Sequence, residues 1–162
     1  MKKVLILLVA VSPLFFSCNN DDNAADNSSN NQQSMLLGKW EVKSFTEEYF
    51  VNGQPYNGAE GEISVEDVIG TVFEFKAGNV FSITTYDSDF STWDTETGTY
   101  VYNPNQNTID YTFVESDGTS YTERMNVTSL TQNNFQFNMS EEYSEGGFTF
   151  KFKLNINCDR KN

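Results

Sequence analysis

The chain has 162 residues, with 23 Asp and Glu against 10 Lys and Arg, no His and two Cys, for a formal net charge of −13. That is one domain's worth of sequence, and its acidity argues against nucleic-acid partners, whose affinity comes largely from Lys and Arg neutralising phosphates. The missing imidazole excludes His general bases, His metal ligands and Ser-His or Cys-His pairs.

Residues 1–17 open with Lys2 and Lys3 and run apolar from Val4 to Phe16 apart from Ser12 and Pro13. The run is shorter than the about 20 apolar residues that cross a bilayer, and it has the form of a secretory signal. Phe15-Phe16-Ser17-Cys18 resembles the lipobox of bacterial lipoproteins, with Phe15 where Leu is usual. That resemblance implies lipidation of Cys18, palmitate included, and an anchor in the bacterial outer membrane, with the domain facing the periplasm or the cell surface. No residue from Asn19 to Ser34 is apolar and larger than Ala, so residues 18–34 are expected to form a disordered tether. With Cys18 lipidated, Cys158 has no disulfide partner and reads as a small buried hydrophobe.

From Met35 onward the pattern has period two, with turn residues between runs. Strands are predicted over 39–51, 71–76, 80–86, 96–102, 108–114, 120–130, 134–143 and 148–157. The last is the clearest: Phe148, Phe150, Phe152, Leu154, Ile156 and Cys158 alternate with Thr149, Lys151, Lys153, Asn155 and Asn157. Tight turn sequences such as Ala77-Gly78-Asn79, Glu115-Ser116-Asp117-Gly118 and Ser144-Glu145-Gly146-Gly147 join neighbouring strands. The fold class is therefore all-β, and an eight-stranded antiparallel up-and-down barrel over 35–162 hides every strand edge; a two-sheet sandwich is the other arrangement with this order.

Leu36-Leu37-Gly38-Lys39-Trp40-Glu41-Val42 is similar to the Gly-x-Trp opening of the lipocalins. With the lipobox, the chain resembles small bacterial lipocalin-like lipoproteins. The resemblance implies that Gly38 and Trp40 form the barrel floor, with Arg160 a candidate to cover the Trp. It departs from the lipocalin pattern in having no helix after the last strand.

Alternate connections of a meander fall at one end. The loops 52–70, 87–95, 115–119 and 144–147 therefore share a mouth, while the tether and C-terminus share the plainer end. The mouth collects acids, among them Glu47, Glu48, Glu60, Glu62, Asp87, Asp89, Asp94, Glu96, Glu141 and Glu142; Lys39, Lys43, Lys76, Arg160 and Lys161 lie towards the other end. Such a mouth disfavours carboxylate ligands and favours neutral or cationic ones, Ca²⁺ or a basic protein partner, or serves only to keep the surface soluble. Phe90 and Trp93, flanked by Asp89 and Asp94, form a candidate ligand site in which rings stack and carboxylates accept hydrogen bonds; the same pair could instead be an apolar plug. Ser64-Val65-Glu66-Asp67 has capping-box spacing and predicts one helical turn over the mouth as a lid.

No metal or cofactor is expected. Asp87 and Asp89 begin like a calcium loop, but Thr92 stands where its Gly belongs and Gly98 where its Glu belongs, which excludes an EF-hand and leaves a weak irregular Ca²⁺ site as the alternative. No nucleophile elbow or phosphate loop is present, and carboxylate pairs are too abundant for Asp89 and Asp94 to mark a glycosidase. The expected protein is not an enzyme. It is a monomeric, membrane-anchored binder of a small apolar or amphipathic, non-anionic ligand, or a packed scaffold whose acidic mouth holds a protein or glycan.

Overall fold

A computed structural model of the chain describes residues 26–56 and 65–162. The expected signal 1–17, Cys18, the start of the tether and residues 57–64, with Glu60, Glu62 and Ser64, lie outside the described residues.

The strands are β1 Gly38–Val51, β2 Gln54–Pro55, β3 Val72–Lys76, β4 Val80–Asp87, β5 Thr92–Asn103, β6 Thr108–Val114, β7 Ser120–Leu130, β8 Asn134–Glu145 and β9 Phe148–Lys161. From β3 to β9 each strand pairs antiparallel with the next, and β1 pairs with both β3 and β9, so eight strands close into the expected up-and-down barrel. The sandwich is thereby excluded. The seam between β1 and β9 runs from Lys39↔Lys161 to Val51↔Phe150 with one shift between Val42 and Ser44, and it closes the ring of eight strands. The extra strand β2 was not expected: Asn52 and Gly53, at φ 51° and 76°, turn β1 back into a two-residue hairpin, the conformation that Asn-Gly favours.

β5 begins at Thr92 rather than at Glu96, leaving only residues 88–91 as the turn from β4. Its first residues do not alternate in polarity. They are held instead by the ladder to β4, by a Thr84–Thr95 hydroxyl contact of 2.8 Å and by the Tyr86 and Trp93 rings, whose centroids lie 5.2 Å apart.

Residues 26–34, expected to be disordered, belong to helix α1, Asp26–Leu36. Its polar sequence has no apolar stripe, but its last residue, Leu36, is completely buried in the core, and Gln32 Oε1 accepts a hydrogen bond from the Tyr102 hydroxyl at 3.4 Å. Among the described residues no helix is long and apolar enough to cross a membrane. The predicted helical turn is present as α2, Val65–Val68, but not as a lid. It packs on β4, Val68 touches the core, and Gly70 N–H donates to the Val42 carbonyl at 3.2 Å. That bond places α2 at the level of buried Val42, in the wall and not across the mouth.

The core occupies the plain-end half of the barrel. Phe75 lies 4.9 Å from Phe81 and 5.1 Å from Tyr100 between ring centroids, and Phe135 lies 4.9 Å from Phe137. Together with Trp40, Val42, Ile109, Met125, Ile156 and Cys158, these side chains fill the interior. A bulge in β1 between Val42 and Ser44 shifts the alternation by one residue. Below it Trp40 and Val42 face inward; above it Phe45, Glu47, Tyr49 and Val51 do, opposite Ile156, Leu154, Phe152 and Phe150.

Candidate ligand-binding cup

The floor is tied together by one arginine. Gly38 and Trp40 sit at the plain end, where Trp40 is completely buried and its Nε1–H donates to the Leu36 carbonyl at 2.8 Å. The Arg160 guanidinium lies 4.2 Å over the indole, a cation–π arrangement. Its Nη1 donates to the Leu37 carbonyl at 2.8 Å, its Nη2 to that of Met35 and its Nε to that of Gln132. Gly38 is required twice over: its φ is +122°, and a Cβ there would stand 2.6 Å from Arg160 Nη1.

Above this floor the barrel is open. β3 has only five residues, whereas β1 and β9 have 14 and β8 has 12. The paired strands β1, β9 and β8 therefore rise as a tall wall. Its inner face continues the core alternation beyond the level at which the core is filled, through Tyr49, Val51, Glu141, Tyr143, Phe148, Phe150 and Phe152. These residues, with Phe50, Tyr56 and Lys151, line a cleft of about 610 Å³, within the range of small-ligand pockets. The Tyr143 and Phe150 rings stack at 5.2 Å and Tyr49 lies 5.1 Å from Phe152. Tyr143 and Phe148 are nonetheless 58% and 51% exposed. Rings prearranged in contact with one another but open on one side form an apolar surface awaiting a partner.

Across the cup is a smaller cleft of about 210 Å³, lined by Ile83, Thr85, Glu96, Tyr111, Phe113, Tyr121 and Glu123. The Tyr121 hydroxyl donates to Glu96 Oε2 at 3.0 Å, and the Tyr111 hydroxyl donates to Glu123. Burial, followed by the Glu96 carboxylate, pushes the Tyr121 phenol up to about 12; burial and Glu123 raise Tyr111 further. Both therefore stay protonated donors at neutral pH.

The four predicted ligand residues are not brought together. Phe90 is in the β4–β5 turn, 79% exposed, so it plugs nothing. Trp93 is a strand residue paired with Tyr86. Because Phe81 and its partner Gly98 face inward, alternation puts Trp93 on the outer face and Asp94 on the inner one. Asp89 lies in the turn, its N–H donating at 3.0 Å to Asp87 Oδ1, which also accepts from Phe90 N–H. Asp87 is thereby a turn former. Sequence reasoning missed the tall wall, although the predicted strands one and six to eight, which include its three members, are longer than strands two to five.

Among the described residues no group of three or more Cys, Asp and Glu is placed to hold a metal ion. Cys158 is buried and its thiol is pushed up to about 12 by that burial and by Asp159.

No curated protein matches the sequence. Among solved structures, a lipocalin-like protein from Bacteroides uniformis ATCC 8492 is 16% identical with a TM-score of 0.42, covering 79% of this chain and 99% of that one. An uncharacterized protein from Bacteroides eggerthii DSM 20697 is 12% identical with a TM-score of 0.43, covering 78% and 99%. The family model of the lipocalin-like domain matches residues 36–137, from the residue that ends α1 to the inward Phe137 of β8. With a closed eight-stranded barrel, a floor tryptophan under an arginine and a match over more than half its length, the chain belongs to the lipocalin-like domain family.

Proposed function

We propose that this protein is a cell-envelope lipoprotein, anchored through lipid on Cys18 in the outer membrane, whose barrel binds a small apolar or amphipathic, non-anionic ligand without catalysing a reaction. The observation that carries the reading is the apolar inner face of the β1–β9–β8 wall, half exposed above a filled floor. A surface of this kind is stabilised when an apolar ligand displaces water from it. The acids around the mouth work against a carboxylate ligand. A second reading, a scaffold whose acidic mouth holds a protein or glycan, is favoured only by the exposed Phe90 at the β4–β5 turn.

Native mass spectrometry, with extraction of small molecules, on the full chain purified from its own envelope distinguishes the two. A co-purifying compound is expected, and a ligand-free mass in repeated preparations would remove the binding reading. Replacing Cys18 by Ser should release the protein from membranes, and continued sedimentation with them would show the lipid assignment to be wrong.

A further inference from the structure

We infer that the ligand of the cup is an amphipathic cation, its apolar tail on the aromatic wall of β1, β9 and β8 and its ammonium head between Glu96 and Glu123 on the opposite side. The inference rests on the ligand-binding reading above and narrows it to one chemical class.

Two clefts with different chemistry face the same space. The larger is aromatic. The smaller holds two carboxylates and three aromatic rings, the combination that recognises substituted ammonium groups by charge and by π-faces. A tyrosine hydroxyl fixes one oxygen of each carboxylate. Among the described residues neither Glu96 nor Glu123 has a Lys or Arg within ion-pair distance.

Tyr111 reaches from the smaller cleft to the foot of the tall wall. Its hydroxyl, which donates to Glu123, also lies 3.9 Å from Met139 Sδ. Met139 is the inward residue of β8 just below Glu141 in the tall wall, opposite Leu154 of β9. From Leu154 to Phe148 the wall rises six residues, about 20 Å at about 3.3 Å per residue, enough to lie along a medium-length alkyl chain.

The charge of the interior has one sign at this height. Glu47, Glu96, Glu123 and Glu141 face inward by register, whereas Arg124, Lys151 and Lys153 stand on the outer face, although Lys151 also lines the larger cleft beside the aromatic rings. Arg160 faces inward but is held at the floor by three carbonyls. In the smaller cleft an anionic head would therefore meet only carboxylates, a neutral head would leave them without a counter-charge, and a cation would pair with them.

The test compares decyltrimethylammonium, decanol and decanoate, below their micellar concentrations, by equilibrium dialysis against the full chain. The cation is expected to bind roughly tenfold tighter than decanol, and decanoate more weakly than decanol. Glu96→Gln with Glu123→Gln keeps acceptors for both tyrosines and should bring the cation down to the affinity of decanol. Phe150→Ala should weaken cation and decanol alike. Raising the salt concentration on the unaltered chain is an independent readout that needs no variant: it should weaken the cation and spare decanol. Equal or better binding of decanol or decanoate would overturn the cation assignment while leaving the barrel a binder. A cation preference that survives the double variant would overturn the head-group position. Retention of none of the three compounds would remove this inference, and a ligand-free chain in the native mass measurement would then remove the wider reading too.

Discussion

Gly38→Ala probes whether the floor is a single latched unit. The new Cβ meets Arg160 Nη1 at 2.6 Å, and because that atom is the far end of a flexible side chain, the guanidinium moves rather than the backbone. Two penalties follow. An alanine held at φ +122° carries strain of about 1–3 kcal/mol, and losing the bond from Nη1 to the Leu37 carbonyl costs about 1 kcal/mol more. The total is about 2–4 kcal/mol. Arg160→Ala alone removes three N–H donors and the cation over Trp40, about 3 kcal/mol for a half-buried group. In Arg160→Ala the Gly38→Ala change retains only its strain, so the double variant should be more stable than the sum of the singles by about 1 kcal/mol. Urea unfolding followed by tryptophan fluorescence reads this as midpoints at constant slope. Additivity within about 0.5 kcal/mol would refute the claim that the glycine exists to make room for the arginine.

Trp40→Ala should destabilise the fold by about 3–5 kcal/mol, as for any large aromatic removed from a filled core, and an unchanged melting temperature would exclude its role as the floor. Cys158, buried with its thiol pushed up to about 12, should resist aromatic disulfide reagents at neutral pH and react only as the chain unfolds; labelling faster than unfolding would contradict its burial. On the outer wall Arg124 holds the Asp110 carboxyl below its usual range through bonds of 2.6 and 2.9 Å. Because the folded pKa is lowered, the pair's contribution is complete above about pH 4, the unfolded value, and fades as pH falls through the folded one. Asp110→Asn should therefore lose stability at neutral pH, by less than about 1 kcal/mol for so exposed a pair, and match the parent in strong acid; an equal deficit at both extremes would show that the loss is not electrostatic.

The barrel was legible because seven of its eight main strands alternate in polarity and end in turn residues, so register and topology follow from local pattern. The exceptions each lack that pattern. The start of β5, Thr92-Trp93-Asp94-Thr95, has no apolar face and is recruited by its neighbour. Helix α1 is polar throughout and gains its anchor from Leu36 alone, a tertiary contact that composition does not encode. β2 did have a signal, Asn52-Gly53, lost inside a long polar loop. The cup was harder to read for a different reason. Phe148 and Ile156 belong to one uninterrupted alternation, and nothing local distinguishes the residue that stands above the floor from the one sealed within it; that depends on how short β3 is beside its neighbours. Phe90 and Trp93 drew attention because aromatics are rare among polar residues, but rarity marks neither depth nor direction.

The bulge between Val42 and Ser44 lies at the boundary of the sealed and open halves of β1, and this makes the lining editable separately from the foundation. Pairing this stretch without the bulge, with every residue kept, would rotate every later residue of the strand by half a turn, presenting Ser44, Thr46, Glu48 and Phe50 to the interior in place of Phe45, Glu47, Tyr49 and Val51. The residues beneath, Trp40 and Val42, would keep their places. One bulge thus separates two interiors built on the same base, a route by which a lineage of such barrels can exchange one guest for another without first rebuilding the fold.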